Sequence, residues 1–116
     1  VQTSSHALPA KHHQQLLNRL YTLLADLKHP NDVQAFLADF LTDTERLVFA
    51  KRLGILWELQ QGKSYEEIKK ALQVSSATIS SVAEVKGKKG WQLALEKMTA
   101  DQWAERTLRK LPFFKK

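Results

Sequence analysis

The residues best suited to chemistry in this chain are hydroxyls and lysines between positions 64 and 90. The run Ser75-Ser76-Ala77-Thr78-Ile79-Ser80-Ser81 is dense in side chains that can donate or accept single hydrogen bonds. Lys69 and Lys70 precede it, and Lys86, Lys88 and Lys89 follow it. Ammonium groups on both sides of a hydroxyl-rich segment suit a polyanion, the lysines neutralising phosphates and the small side chains touching what lies between them. Catalysis has little support. There is no cysteine, no glycine-rich phosphate loop and no histidine near a suitable nucleophile. The carboxylates sit mostly at helix starts, where the helix dipole accounts for them. His12 and His13 are adjacent, so on a helix they point about 100° apart and do not chelate as an i, i+4 pair does. With His6 and His29 they lack a converging set of carboxylates, and no metal site is expected.

Two short helices must position the hydroxyl run. Ser64 can cap the first, with Glu67 three residues on reaching back to close a capping box. Ile68 and Leu72 are four apart and share a face. Gln73-Val74-Ser75 forms the turn, with Val74 plugging the crossing of the helices. Ser75 or Ser76 then caps a second helix whose apolar residues are Ala77, Ile79, Val82 and Ala83. This is the pattern of a helix-turn-helix, whose second helix enters the major groove of DNA; an ordinary αα-corner is the bland alternative.

Residues 41–80, LTDTERLVFAKRLGILWELQQGKSYEEIKKALQVSSATIS, carry a family resemblance. Leu41-Thr42-Asp43-Thr44-Glu45-Arg46 matches an L-T-x-x-E-R opening. Arg52 follows in the same helix, Gly62 ends it, and Ala77-Thr78-Ile79-Ser80 matches an A-T-I-[ST] recognition helix. On these residues the chain resembles the tryptophan-repressor superfamily over roughly residues 31–98. Gly62, Ser64, Tyr65 and Ile68, then Gly87, Gly90, Trp91, Ala94 and Leu95, look more like the repressor-like branch than the tryptophan repressor proper.

The resemblance implies an all-α fold of six to seven helices with a helix-turn-helix, assembled as an intertwined homodimer. It places Ser76, Ala77 and Ser80 toward the bases with Thr78 beside them, so that Ser75 to Ser81 and the five lysines become the DNA-binding candidates. None of the reading residues is Arg, Asn or Gln, the types that make bidentate base contacts. Readout therefore leans on DNA shape and on water, and water-mediated reading is itself a habit of the family. Arg52 matches an arginine lining the family's ligand pocket and, with Thr42, is an effector-binding candidate. The family's second ligand arginine aligns with Ser81, which cannot pair a carboxylate as an ion or stack on an indole. No cofactor is expected, and L-tryptophan is not expected to be required as corepressor. Where the helix-turn-helix turn usually has glycine stands Gln73. If its backbone is left-handed it stores roughly 1 kcal/mol of strain.

The rest of the 116-residue chain fits around this unit. Few Gly and Pro among many Leu, Lys, Gln and Ala suit helices. No apolar run is long enough to span a membrane, and the polar start does not read as a signal peptide. The absence of cysteine fits a reducing, cytoplasmic and nucleoid-associated setting. Charge is uneven: residues 1–83 hold 9 basic against 8 acidic groups, residues 84–116 hold 9 against 4. Residues 1–10 read as a flexible N-terminus, 11–98 as the helix-turn-helix domain and 99–116 as a basic helical extension. In the first helix, expected over 11–28, Leu16, Leu20, Leu23 and Leu27 form a heptad-like stripe widened by Leu17 and Leu24, too broad for one small domain to cover. Asn31 or Asp32 should cap the next helix, with Val33, Phe36, Leu37 and Phe40 on its face. Thr42 and Glu45 make a capping box for a long central helix. Its inward candidates are Leu47, Ala50, Leu53, Leu56, Trp57 and Leu59, and Gly62 supplies the left-handed cap. Gly87 and Gly90 suggest a hinge, Trp91, Ala94, Leu95 and Met98 an amphipathic helix, and Thr99 and Gln102 the caps of a last helix. That helix carries Trp103, Leu108 and Leu111 and leads to Phe113-Phe114-Lys115-Lys116. The function expected is sequence-specific binding of double-stranded DNA by a dimeric regulator, a repressor by resemblance and not an enzyme. The alternative is a helical protein- or RNA-interaction module without operator specificity.

Overall fold

The computed structural model describes residues 8–110, and the side chains of 8–102. The expectations for residues 1–7, for Leu111 and for Phe113 to Lys116, and those for the side chains of Trp103 and Leu108, lie outside the described residues. Those described form six helices and no strand. The chain divides into two compact units, Val1–Arg46 and Leu47–Lys116, and each is described by itself.

The first unit holds α1 (Ala10–Asp26), α2 (Pro30–Phe40) and the opening of α3 (Asp43–Gln60). Helix α1 stops short of its expected end: Leu27 is extended, and its N–H is shared between the carbonyls of Leu23 and Leu24. No residue of α1 is buried, and Leu16, Leu20, Leu23 and Leu24 are all exposed. Helix α2 corrects the expected cap. The N-cap is His29, with no side-chain cap bond, and Pro30 opens the helix ahead of Asn31 and Asp32. Proline has the fixed φ, and lacks the N–H, that suit a first helical position, so it moves the start upstream. On the α2 face Val33, Phe36 and Leu37 are half-buried while Phe40 is exposed, its ring stacked on Phe36 at 4.4 Å.

Thr42 and Glu45 do form a capping box. Glu45 N–H donates to Thr42 Oγ1 at 3.1 Å, and Thr42 N–H donates to the Glu45 carboxylate at 2.8 Å. Arg46 pairs with Asp43 one turn away. At the other end of α3, Gly62 adopts φ +79°, and the N–H groups of Gly62 and Lys63 donate to the carbonyls of Leu59 and Glu58. These two bonds are the Schellman pattern, which satisfies the last helical carbonyls.

The core of the second unit is small: Ile55 and Leu56 of α3, Ile68 of α4 (Tyr65–Leu72), and Ile79 and Val82 of α5 (Ser76–Val85). Leu59, Leu72, Val74, Trp91, Ala94, Leu95 and Met98 pack on it partly buried. The inward face of α3 is as the sequence predicted at Leu56, which is buried, and at Trp57 and Leu59, which are half-buried, but not elsewhere. Ile55 is fully buried, while Leu47, Ala50 and Leu53 are exposed. Apolar residues surround this helix, so periodicity alone selects no face. Gly54 lets α4 come close: a Cβ there would lie 3.1 Å from Leu72 Cδ1.

Helix α6 (Lys89–Lys110) runs unbroken through Thr99 and Gln102, which are not caps. No glycine or proline interrupts that stretch, and a capping side chain without a breaker does not stop a helix. Gly90 lies inside α6, so the hinge shrinks to Lys86, Gly87 and Lys88. It is held by Lys88 N–H on the Val85 carbonyl and by Gln92 Nε2 on the Lys86 carbonyl at 2.6 Å.

Candidate nucleic-acid interface

Helix α4 begins with a second capping box. Ser64 Oγ accepts the Glu67 N–H at 3.2 Å, and the Glu67 carboxylate accepts the Ser64 N–H at 3.2 Å. The backbone and side-chain bonds of Ser64, with Lys63 3.9 Å away, hold the Glu67 carboxyl below its ordinary value of 4.5. The same bonds from Thr42 lower Glu45. The next helix is capped by Ser75 and not Ser76: Ser75 Oγ accepts the Thr78 N–H at 3.1 Å and lies 2.8 Å from Thr78 Oγ1. Ser81 donates its hydroxyl proton to the Ala77 carbonyl at 3.0 Å.

Three of the candidate hydroxyls are thus engaged at the cap of α5 or within it. Ser76, Ala77 and Ser80 remain exposed, and among the described residues no side-chain hydrogen bond holds either serine. Ile79 and Val82, buried beneath them, seat the helix so that this edge faces outward. The edge offers two hydroxyls and a methyl, chemistry suited to single hydrogen bonds, bridging waters and a thymine methyl.

The turn before α5 is left-handed. Gln73 has φ 55° and ψ 56°, the only described non-glycine residue at positive φ. That conformation costs an L-residue roughly 1 kcal/mol, and local bonds offset it. Gln73 N–H donates to the Lys69 carbonyl at 2.9 Å, Gln73 Nε2 to the Lys70 carbonyl at 2.9 Å, and Lys51 Nζ to the Gln73 carbonyl at 3.2 Å. Sequence reasoning missed Lys51, because no local pattern links positions 22 apart.

Of the lysines, Lys69 lies 3.5 Å from Glu66, an exposed pair of the kind worth under ~1 kcal/mol and easily exchanged for a phosphate. Lys70, Lys86, Lys88 and Lys89 are exposed and enter no ion pair among the described residues. Arg52 meets Thr78, Ser81, Val82, Val85 and Trp91 around an open cleft of about 350 Å³. A second cleft of about 320 Å³ shares Arg52 and Trp91 and adds Phe49, Leu53, Gly90 and Ala94. Arg52 and Ser81 are therefore brought together, and Trp91, which packs partly buried on the core, also lines both clefts. Thr42 closes the capping box of α3. Among the described residues no group of three His, Asp or Glu could hold a metal ion.

The Trp repressor protein family matches residues 15–99, most of the chain and the whole helix-turn-helix. The chain belongs to the Trp repressor family. The match reaches back beyond residue 31 into α1, so the leucine-striped helix is part of the family domain. The Trp repressor family is one of helical DNA-binding regulators, and α4, the Gln73 turn and α5 are its helix-turn-helix here. Comparison with curated proteins gives no match. No described helix is long and apolar enough to cross a membrane.

Proposed function

We propose that this chain is a sequence-specific regulator of transcription, a repressor, that acts as a homodimer and places α5 in the major groove of an approximately palindromic operator. The observation carrying this reading is the exposed Ser76-Ala77-Ser80 edge of α5, seated by buried Ile79 and Val82. The lysines support it. Lys88 and Lys89 stand at the start of α6, where like charge opposes the helix dipole and an external phosphate relieves the cost. Lys69, Lys70 and Lys86 extend the same chemistry, with readout leaning on water and DNA shape. The setting is cytoplasmic, on the nucleoid.

The test is selection of genomic fragments by the purified protein, with and without L-tryptophan. Enrichment of one palindromic sequence in both conditions is expected. Duplex retention without sequence preference would favour a helical protein- or RNA-interaction module instead.

A further inference from the structure

Two neighbouring contacts tie α3 to the helix-turn-helix turn. Lys51 and Gly54 are three apart on α3 and so lie on one face. Gly54 admits Leu72, the last residue of α4, to within van der Waals reach. Lys51 Nζ donates to the carbonyl of the next residue, Gln73. The amide and side-chain nitrogen of Gln73 bond back to α4, leaving its carbonyl with Lys51 as sole donor among the described residues. Gln73 is also where the chain leaves α4, two residues before the Ser75 cap of α5. A rotation at this peptide swings the start of α5, and glutamine has no intrinsic preference for the left-handed basin it occupies.

We propose that Lys51 is a positioning residue for the recognition helix: its ammonium clamps the left-handed Gln73 turn and so sets the angle at which Ser76, Ala77 and Ser80 meet the bases. Lys51 acts here through the turn and not through a phosphate. The proposal rests on the DNA-binding reading above. It assigns operator preference to a residue outside the helix-turn-helix, and it accounts for a glutamine where a turn of this kind favours glycine.

The test uses an operator selected with the wild-type protein and a random duplex, titrated across a range of salt. Lys51→Met should lower operator affinity about ten-fold, the scale of one charge-assisted hydrogen bond, while the salt slope on the operator stays at its wild-type value. Lys51→Arg keeps a donor of similar reach and should recover most of the loss. Gln73→Gly removes the need for the clamp. In that background Lys51→Met should cost only about two- to three-fold, a coupling that separates clamping from a general loss of stability. Equal losses in both backgrounds would mean that Lys51 does not act through the turn, and a slope reduced by about one unit would mean a direct phosphate contact; either would overturn the proposal. Unchanged operator affinity in Lys51→Met would overturn it as well. A wild-type protein that does not distinguish operator from random duplex would instead remove the DNA-binding reading itself.

Discussion

Ala77 has no hydrogen-bonding group in its side chain, yet its exposed methyl lies beside Ser76 and Ser80 on the edge available for reading. Ala77→Glu would put a carboxylate and extra bulk against the groove without disturbing Ile79 or Val82. Duplex binding should be abolished while melting stays within about 0.5 kcal/mol of wild type, as for an exposed substitution. Lys88→Ala should weaken all sequences alike and reduce the salt slope by about one unit, so titrations of the two variants separate reading from phosphate contact. At the cleft, Ser81 faces Arg52 and Trp91 with its hydroxyl proton already given to the Ala77 carbonyl. A zwitterionic amino acid there meets one guanidinium, and the missing second cation costs ~1.5–3 kcal/mol, roughly ten- to a hundred-fold in affinity. We therefore expect calorimetry to find no micromolar site for L-tryptophan, and DNA binding not to need it. Ser81→Arg should strengthen a tryptophan site if one exists. If tryptophan is irrelevant, the same change should alter only DNA affinity.

The helices are fixed at their ends by groups that titrate. Glu45 and Glu67 are lowered by the bonds that close their capping boxes. Their contribution is full above the ordinary carboxylate value and is lost as pH falls through the lowered folded value. As pH falls below the ordinary carboxylate value, wild-type melting should therefore drop more steeply than that of the Glu45→Gln, Glu67→Gln double variant, since glutamine can close the same box without ionising. Equal slopes in scanning calorimetry would show that the boxes do not hold in solution. Both boxes, the Gly62 stop and the helix-turn-helix were legible in the sequence because each is written in adjacent residues by spacing and residue type. What escaped depends on longer distances or competing signals. Ile55 was hidden because α3 is apolar all round. The unbroken α6 was hidden because Thr99 and Gln102 resemble caps. At the candidate site, the hydroxyls and lysines were readable, but which hydroxyls the helix itself consumes was not, and the bond from Lys51 to Gln73 joins residues no local pattern connects.

On the scale of the whole molecule, many apolar side chains of the described residues are exposed. Among the described residues five are buried, while Leu16, Leu20, Leu23 and Leu24 of α1 are each at least 40% exposed, Phe40 is 69% exposed, and Leu47, Val48, Phe49 and Leu53 of α3 are exposed too. At roughly 25 cal/mol per Å² of apolar area, leaving this surface in water forfeits several kcal/mol that a small domain needs. A second copy of the chain would cover it, because a symmetric pair would bury the same stripe twice in one self-complementary interface. It would also supply two recognition helices for a palindromic site. Leu20→Asp distinguishes the possibilities. In an isolated chain Leu20 is 40% exposed and an aspartate there would cost little. Inside a dimer seam the same charge is desolvated without a partner, at a cost of several kcal/mol. We expect the wild type to sediment as a dimer at micromolar concentration with a concentration-dependent Tm, and Leu20→Asp to dissociate or unfold. A wild-type monomer at that concentration, or a Leu20→Asp variant that melts like wild type, would remove the dimer and with it the paired geometry proposed for the operator.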